Sequence, residues 1–274
     1  MPNFHKDQAY GLRRIMAKPK PRIVSVISAS PTSSTATKEQ TRLITNLAAS
    51  IGYEGNEVLI VAAHDSREAV FQYGMDALPS LVDVVYQRIS LDYVIRRSEH
   101  GYAIAKLSHK VRGNMSVNDM IKPELNRVFT RLANQYEMVL VDVALNNDNT
   151  LPLETLNDNE IVIQLTRDPE SIKQAYMIIK QVASKIGNRP FGILVSDATE
   201  SQSEVVFRNI SHVAKHFLQI ELEFLGTIPS DEHIGRAAKL GRAVIEAFPM
   251  ANASKAFQTL AKRLDYKQEL STIV

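Results

Sequence analysis

Short runs of apolar and β-branched residues alternate along the chain with longer stretches in which apolar residues recur at helical spacing. This alternation is typical of βαβ units, in which helices connect parallel strands. Several of the short runs are apolar at consecutive positions, as expected for strands that helices cover on both faces. The runs predict strands at Ile23–Ser28, Val58–Ala62, Tyr102–Leu107, Met138–Val143, Ile161–Thr166, Phe191–Val195 and Leu222–Gly226.

The helical stretches lie between these strands and after the last of them. No linker rich in Gly, Ser or Pro interrupts the series, and no internal repeat is present. Residues 22–274 are therefore predicted to form one α/β domain, a single doubly wound and mostly parallel sheet flanked by helices. The predicted helices cover about Lys38–Ile51, Lys122–Gln135, Pro169–Ile186, Glu204–Phe217, Ile234–Leu240 and Ser254–Leu264.

Composition and charge exclude several classes of protein. The chain has 274 residues, of which 45% are hydrophobic, and no Cys, so a disulfide scaffold, a thiolate nucleophile and Cys-ligated metal sites are excluded. Its 32 basic and 30 acidic residues give no overall attraction to nucleic acid or to a membrane. No apolar run approaches the roughly 18 residues that span a bilayer, and no signal peptide is recognisable. We therefore predict a cytoplasmic protein.

The N-terminal segment, residues 1–21, differs from the rest in charge and pattern. Counted to Arg22, it carries six Lys or Arg side chains and a single acidic one. Asp7–Met16 can form a short helix with Ala9, Leu12 and Met16 on one face. In Ala17–Pro21 two prolines favour an extended tether. The pattern leaves open whether this helix detaches from the α/β domain or packs on it permanently.

The loop after the first strand lacks the residues of a phosphate-binding loop, which are Gly-rich backbone, a Lys and a Ser or Thr for magnesium. Residues 29–37 read Ala-Ser-Pro-Thr-Ser-Ser-Thr-Ala-Thr. The next helix is predicted to begin with Thr37 and Gln40 as a capping box, and Glu39 would put a carboxylate where phosphate would bind. Lys38 and Thr41 are remnants of a nucleotide site in one interpretation, and a solvated lysine and an ordinary helix residue in the other.

Several segments resemble the MinD/ParA-type ATPases in order and spacing. Val26–Ala29 followed by Thr41–Ala48 is similar to their first strand and first helix. The resemblance implies the MinD-like P-loop NTPase fold and places Asp142 at the Walker B position. It continues through Tyr136–Asp142, Ile161–Tyr176, Phe224–Asp231 and Ala247–Ser254.

The residues that handle nucleotide in that family are replaced here. If Thr41 matches the family threonine, Gln40 stands in place of its lysine. The acid expected after the second strand is replaced in Ala62-Ala63-His64, and the asparagine that reads adenine is replaced by Ser196. Single groups of this kind contribute on the order of 10³-fold to phosphoryl transfer. We therefore assign no catalytic residue and no metal ligand, and we expect no cofactor.

The N-terminal helix resembles the short motif of the flagellar-number regulator branch of this family, called FlhG or FleN. In that branch the helix binds the signal-recognition-type GTPase FlhF and stimulates its GTP hydrolysis. The resemblance also implies flagellar switch or C-ring proteins and the flagellar transcription activator as partners, and recruitment to the flagellated pole. The matching residues, which are the predicted partner-binding residues, are Asp7, Gln8, Ala9, Leu12 and Arg13.

Three functional hypotheses follow. The first is a nucleotide-free MinD-like scaffold that presents its N-terminal helix to FlhF. The alternative is an ATPase that uses an irregular phosphate loop, with ATP and magnesium at Lys38, Thr41 and Asp142. The third is a regulator that binds nucleic acid through the basic arm, which the lack of interleaved aromatic residues disfavours.

Two further pairs of residues are candidate sites. His212 and His216 have the i, i+4 spacing of zinc ligands, but no third ligand is apparent, so they are predicted to be surface histidines. His64 and Asp65 are predicted to form a solvated turn.

The C-terminal tail is too acidic and too weakly amphipathic for strong membrane binding. Its helix is instead predicted to pack on the domain through Phe257, Leu260, Ala261 and Leu264.

Overall fold

The sheet is built from strands that are mostly parallel. The computed structural model describes residues 20–30, 34–63, 73–75, 77–108, 119–146 and 148–272. In this part of the chain the strands are β1 (Arg22–Ser28), β2 (Val58–Ala63), β3 (Arg96–Arg97), β4 (Tyr102–Lys106), β5 (Met138–Val143), β6 (Glu160–Thr166), β7 (Phe191–Ser196) and β8 (Leu222–Ile228). They form one sheet in the order β3-β4-β2-β5-β1-β6-β7-β8. Every neighbouring pair is parallel except β3 and β4.

Helices cover both faces of this sheet. They are α1 (Ser34–Tyr53), α2 (Leu81–Val85), α3 (Lys122–Ala133), α4 (Pro169–Ile186), α5 (Glu200–Leu218), α6 (Glu232–Lys239), α7 (Val244–Ala247) and α8 (Asn252–Thr272), with 3-10 turns at Leu91–Val94, Asp119–Ile121 and Glu154–Asp158. Buried side chains of α2 to α5 join one core, and those of α1 and α6 to α8 join a second core on the opposite face. The predicted doubly wound α/β fold is confirmed.

The seven predicted strands are all present, with ends that differ by two residues at most. The pattern did not predict β3, α2 or α7, because elements of two to five residues are too short to show a period. Three predicted helix ends were wrong by four residues or more, and one of them is the start of α1 at Ser34. α5 begins at Glu200, where Thr199 and Gln202 form a capping box, and α8 continues to Thr272.

The start of α1 corrects the predicted capping box. The helix begins at Ser34, so Thr37 lies inside it and does not cap it. Gln40 does not reach back to the helix start; its side chain is buried and directed at β5. Glu39 consequently lies in the second turn of the helix and not in the first.

The C-terminal helix packs on the sheet as predicted. Phe257, Leu260, Ala261 and Leu264 of α8 are all at most 3% exposed and belong to the core that α1 also covers. No helix in the described ranges is long and apolar enough to cross a membrane.

One carboxylate joins the starts of two helices after β8. Asp231 accepts hydrogen bonds from the backbone N–H of His233 in α6 at 2.9 Å and of Ala253 in α8 at 3.0 Å. Burial alone would raise the pKa of Asp231, but these hydrogen bonds and the neighbouring His233 ring lower it below its usual value. The charged form of Asp231 is therefore the one that the fold stabilises.

Replacing Asp231 by Ala is expected to reduce the free energy of unfolding by about 1–3 kcal/mol at pH 7, since two helix-terminal amides lose their acceptor. A lowered pKa adds stability above the pKa of the unfolded chain, and this stability is lost as the pH falls through the folded pKa. The difference in the free energy of unfolding between the variant and the wild type should therefore shrink near about pH 3. Urea unfolding at pH 7 and at about pH 3 measures this difference. Glu232→Ala, at an exposed neighbour, should change stability by less than about 0.5 kcal/mol.

Candidate functional site

Three residues of α1 and β5 meet at the carboxyl end of the sheet. β5 lies between β2 and β1, and Asp142 is in register with Ala62 of β2 and Val26 of β1. Asp142 is 1% exposed, Thr41 5% and Gln40 7%. Lys38 lies at an exposed position of α1. The structure thus gathers Thr41 and Asp142, two of the three predicted remnants of a nucleotide site, and leaves Lys38 in solvent.

Both carboxylate oxygens of Asp142 accept hydrogen bonds from side chains of the chain itself. Gln40 Nε2 donates to Oδ1, and the Tyr73 hydroxyl donates to Oδ2 at 2.7 Å. Tyr73 is 4% exposed, so the whole group is shielded from water. Hydrogen bonds to a charged acceptor compensate for its burial. Asp142 therefore joins α1 and the segment after β2 to the centre of the sheet.

The hydroxyl of Tyr73 is held in its protonated, donating form. Burial raises the pKa of Tyr73 well above its usual value near 10, and the charge of Asp142 and the hydrogen bond to it raise it further. A hydrogen bond with the Thr41 hydroxyl, which lies beside the phenol, lowers the pKa of Tyr73 and offsets part of this rise. Tyr73 is therefore a constant hydrogen-bond donor to Asp142 over the physiological pH range.

Ser196 is engaged with the neighbouring strands. Gln164 of β6 donates through Nε2 to Ser196 Oγ, and Ser28 of β1 donates to Gln164 Oε1 at 2.7 Å. These three side chains link the carboxyl ends of β1, β6 and β7. The position predicted to replace the adenine-reading asparagine is thus part of an internal network.

Two carboxylates lie close together beside this network. Glu39 of α1 is near Asp197, which follows β7 in the left-handed backbone conformation with φ 55°. Partial burial raises the pKa of Glu39, Asp197 raises it further, and Arg42 lowers it. Although Glu39 is not in the first helical turn, an anion approaching this edge would still meet negative charge.

Replacing Glu39 by Gln is expected to raise the melting temperature slightly, by about 1 °C at pH 7.5, because the group is largely exposed. A raised pKa contributes stability that is present below the pKa of the unfolded chain and is lost as the pH rises through the folded pKa. The gain should therefore disappear near about pH 4, where wild-type Glu39 is increasingly protonated. Thermal melts at the two pH values measure it. Glu54→Gln, at an exposed site in the turn after α1, serves as the control and should show no gain at either pH.

Other predicted residues fall into two groups. Residues 1–19, which include the partner-binding set of Asp7, Gln8, Ala9, Leu12 and Arg13, lie outside the described residues, as do His64 and Asp65. His212 and His216 are exposed on α5 with parallel rings whose centroids are 6.2 Å apart. Within the described ranges no three His, Cys, Asp or Glu side chains cluster in a way that could hold a metal ion.

The arrangement does not fit a magnesium nucleotide. Gln40, which stands where the family lysine is expected, donates to the carboxylate that the ATPase alternative assigns to magnesium. The Tyr73 hydroxyl takes the second oxygen. Sequence reasoning identified Gln40 as a departure but missed Tyr73. Nothing in the sequence signals a contact between residues 69 positions apart.

Comparisons with known proteins agree with the fold and with the resemblance. No family model matches the chain. The chain is 26% identical over 228 residues to the antiactivator FleN of Pseudomonas aeruginosa, covering 82% of this chain and 81% of that protein. Among solved structures, MinD of Pyrococcus horikoshii in complex with Mg-ADP matches with a TM-score of 0.67 and 18% identity, over 91% of this chain and 98% of that one. The cell division ATPase MinD of Pyrococcus furiosus matches with a TM-score of 0.65 and 18% identity, over 90% and 99%.

The resemblance to MinD/ParA-type ATPases and to their flagellar branch is thereby confirmed. The chain has the MinD/ParA-type fold, and the antiactivator FleN is a curated relative at 26% identity.

Proposed function

We propose that this protein regulates flagellar number or placement as a MinD/ParA-type scaffold that works without bound nucleotide. Its N-terminal segment would bind and activate an FlhF-type GTPase. Similarity to the antiactivator FleN supports the flagellar role. The observation that carries the nucleotide-free state is the pair of internal hydrogen bonds from Gln40 and Tyr73 to Asp142.

The energetic argument concerns what a metal nucleotide would have to displace. A hydrogen bond to a charged group contributes about 1.5–3 kcal/mol, and a buried donor left without an acceptor costs a similar amount. Freeing Asp142 breaks at least these two bonds and leaves the buried donors of Gln40 and Tyr73 without this acceptor. Residues 29–37 contain neither the Gly-rich backbone nor the lysine whose phosphate contacts could compensate. Nucleotide binding would therefore be strongly unfavourable.

Calorimetric titration of the full chain with Mg-ATP and with Mg-ADP is expected to show no binding at nucleotide concentrations up to about 1 mM. MinD of Pyrococcus horikoshii, titrated with Mg-ADP, is the positive control. Sedimentation velocity should likewise show the same assembly state with and without ATP.

A micromolar dissociation constant for ATP would overturn the nucleotide-free scaffold. It would favour the alternative, an ATPase with an irregular loop. In that case Lys38→Ala and Thr41→Ala should weaken the binding measured in the same titration.

We also propose the remaining partners that the resemblance implies. Flagellar switch or C-ring proteins and the flagellar transcription activator would bind the scaffold, which could be recruited to the flagellated pole. In the N-terminal segment, Gln8 would orient the attacking water in the partner GTPase, and Arg13 would offset charge on the transferring phosphate.

A further inference from the structure

The segment Tyr73–Met75 is held by side chains from three different strands. Arg96 of β3 donates through Nη2 to the Tyr73 carbonyl at 2.7 Å and through Nη1 to the Gly74 carbonyl at 2.6 Å. Lys106 of β4 donates to the Met75 carbonyl at 2.9 Å. The Tyr73 hydroxyl bonds Asp142 of β5. Three consecutive residues are thus bonded to three strands on one side of β1.

The sheet register places these anchors close together. Ala62 of β2 is in register with Lys106 on one side and with Asp142 on the other. Side chains at paired positions of parallel strands project from the same face of the sheet, so both anchors point toward the face that α1 covers. Tyr73 and Met75 belong to the core on that face.

Burial and backbone geometry show how tightly the segment fits. Met75 is fully buried, and Lys106 is 3% exposed. A buried ammonium is costly unless its donors are satisfied, so the carbonyl of Met75 and Lys106 stabilise each other. Gly74 has a φ of 63°, and a Cβ there would come within 3.3 Å of the Arg96 guanidinium. Only glycine combines this conformation with so close an approach of the arginine.

We propose that Tyr73–Met75 is a built-in latch, in which these three residues are fastened to the carboxyl end of the sheet, with Arg96 as its positioning residue. The latch keeps the Tyr73 hydroxyl on Asp142, so any molecule that reached Asp142 would first have to open it. This inference goes beyond the proposed function, because it stands whether or not the N-terminal segment acts on a GTPase.

Methionine oxidation measures opening of the latch directly. Hydrogen peroxide converts accessible methionine to the sulfoxide, and peptide mass spectrometry follows each position separately. In the wild-type full chain Met250, which is 79% exposed, should react fast, whereas Met75 and Met138, the latter 2% exposed in β5, should react slowly. In Arg96→Ala and in Tyr73→Phe the oxidation rate of Met75 should rise about 5- to 30-fold, since hydrogen bonds worth one to two kcal/mol are lost. The rate of Met138, which lies in the central strand β5, should stay far below that of Met75 in both variants.

Arg97→Ala is the matched control, because Arg97 is the exposed neighbour of Arg96 in β3. It should leave the oxidation rate of Met75 at the wild-type value. The latch is refuted if Arg96→Ala does not accelerate the oxidation of Met75, or if Met138 reacts as fast as Met75 in that variant, which would indicate global unfolding. It is also refuted if wild-type Met75 reacts as fast as Met250. No outcome depends on nucleotide or GTPase binding, so this test can fail while the proposed function stands.

Discussion

Removal of residues 1–20 is expected to abolish the stimulation of GTP hydrolysis by an FlhF-type GTPase. β1 begins at Arg22, and both cores, as far as the structure describes them, begin at or after Ile23. The truncated chain therefore keeps every described strand and should still fold. The measurement is steady-state GTP turnover by FlhF with the full chain or the truncated chain added, and circular dichroism checks that the truncated chain is folded.

Within the N-terminal segment, Gln8→Ala should reduce the stimulated rate at least about tenfold, because a group that positions a reacting water contributes on that order or more. Arg13→Ala should have a smaller effect. Arg14→Ala, at the adjacent arginine outside the motif, is the matched control and should stimulate like the wild type. If the full chain, the truncated chain and Gln8→Ala all stimulate equally, or none of them does, the segment is not the activator.

Tyr73→Phe is expected to lower the free energy of unfolding by about 1–3 kcal/mol at pH 8, because Asp142 Oδ2 loses the hydrogen bond from the Tyr73 hydroxyl in a buried environment. The loss should shrink above about pH 10. In the wild type the raised pKa of Tyr73 contributes stability below the pKa of the unfolded tyrosine, and this stability is lost as the pH rises through the folded pKa. The phenylalanine variant lacks this titration.

Urea unfolding of the wild type and of Tyr73→Phe at pH 8 and at about pH 11 measures both effects. Other buried tyrosines titrate equally in the two proteins, so their contributions cancel in the difference. Tyr53→Phe, at a side chain that is 73% exposed, is the control and should cost less than about 0.5 kcal/mol. An equal stability of Tyr73→Phe and the wild type at pH 8 would mean that the hydrogen bond to Asp142 contributes nothing.

The sequence by itself determined the architecture. Strands such as Met138–Val143 are apolar at nearly every position, and the helices between them repeat their apolar residues with a period near 3.6. These signals are local, and a strand or helix that is long enough displays them whatever its partners are. The sequence alone also shows that residues 29–37 lack glycine and lysine. It likewise shows that Gln40 replaces the lysine of the family that the chain resembles.

Only the tertiary structure decided what these departures mean. Gln40 and Asp142 are 102 positions apart, and Tyr73 and Asp142 are 69 apart, so their hydrogen bonds exist only because β5 lies between β2 and β1 in the sheet. The local pattern instead predicted that Gln40 would cap its own helix. The donors that bond to a buried carboxylate are those that lie near it in space. Hydrogen bonds to a buried charge contribute more free energy than an exposed helix cap does. Gln40 and Tyr73 therefore bond to Asp142, and the periodicity of the sequence contains no signal for these two contacts.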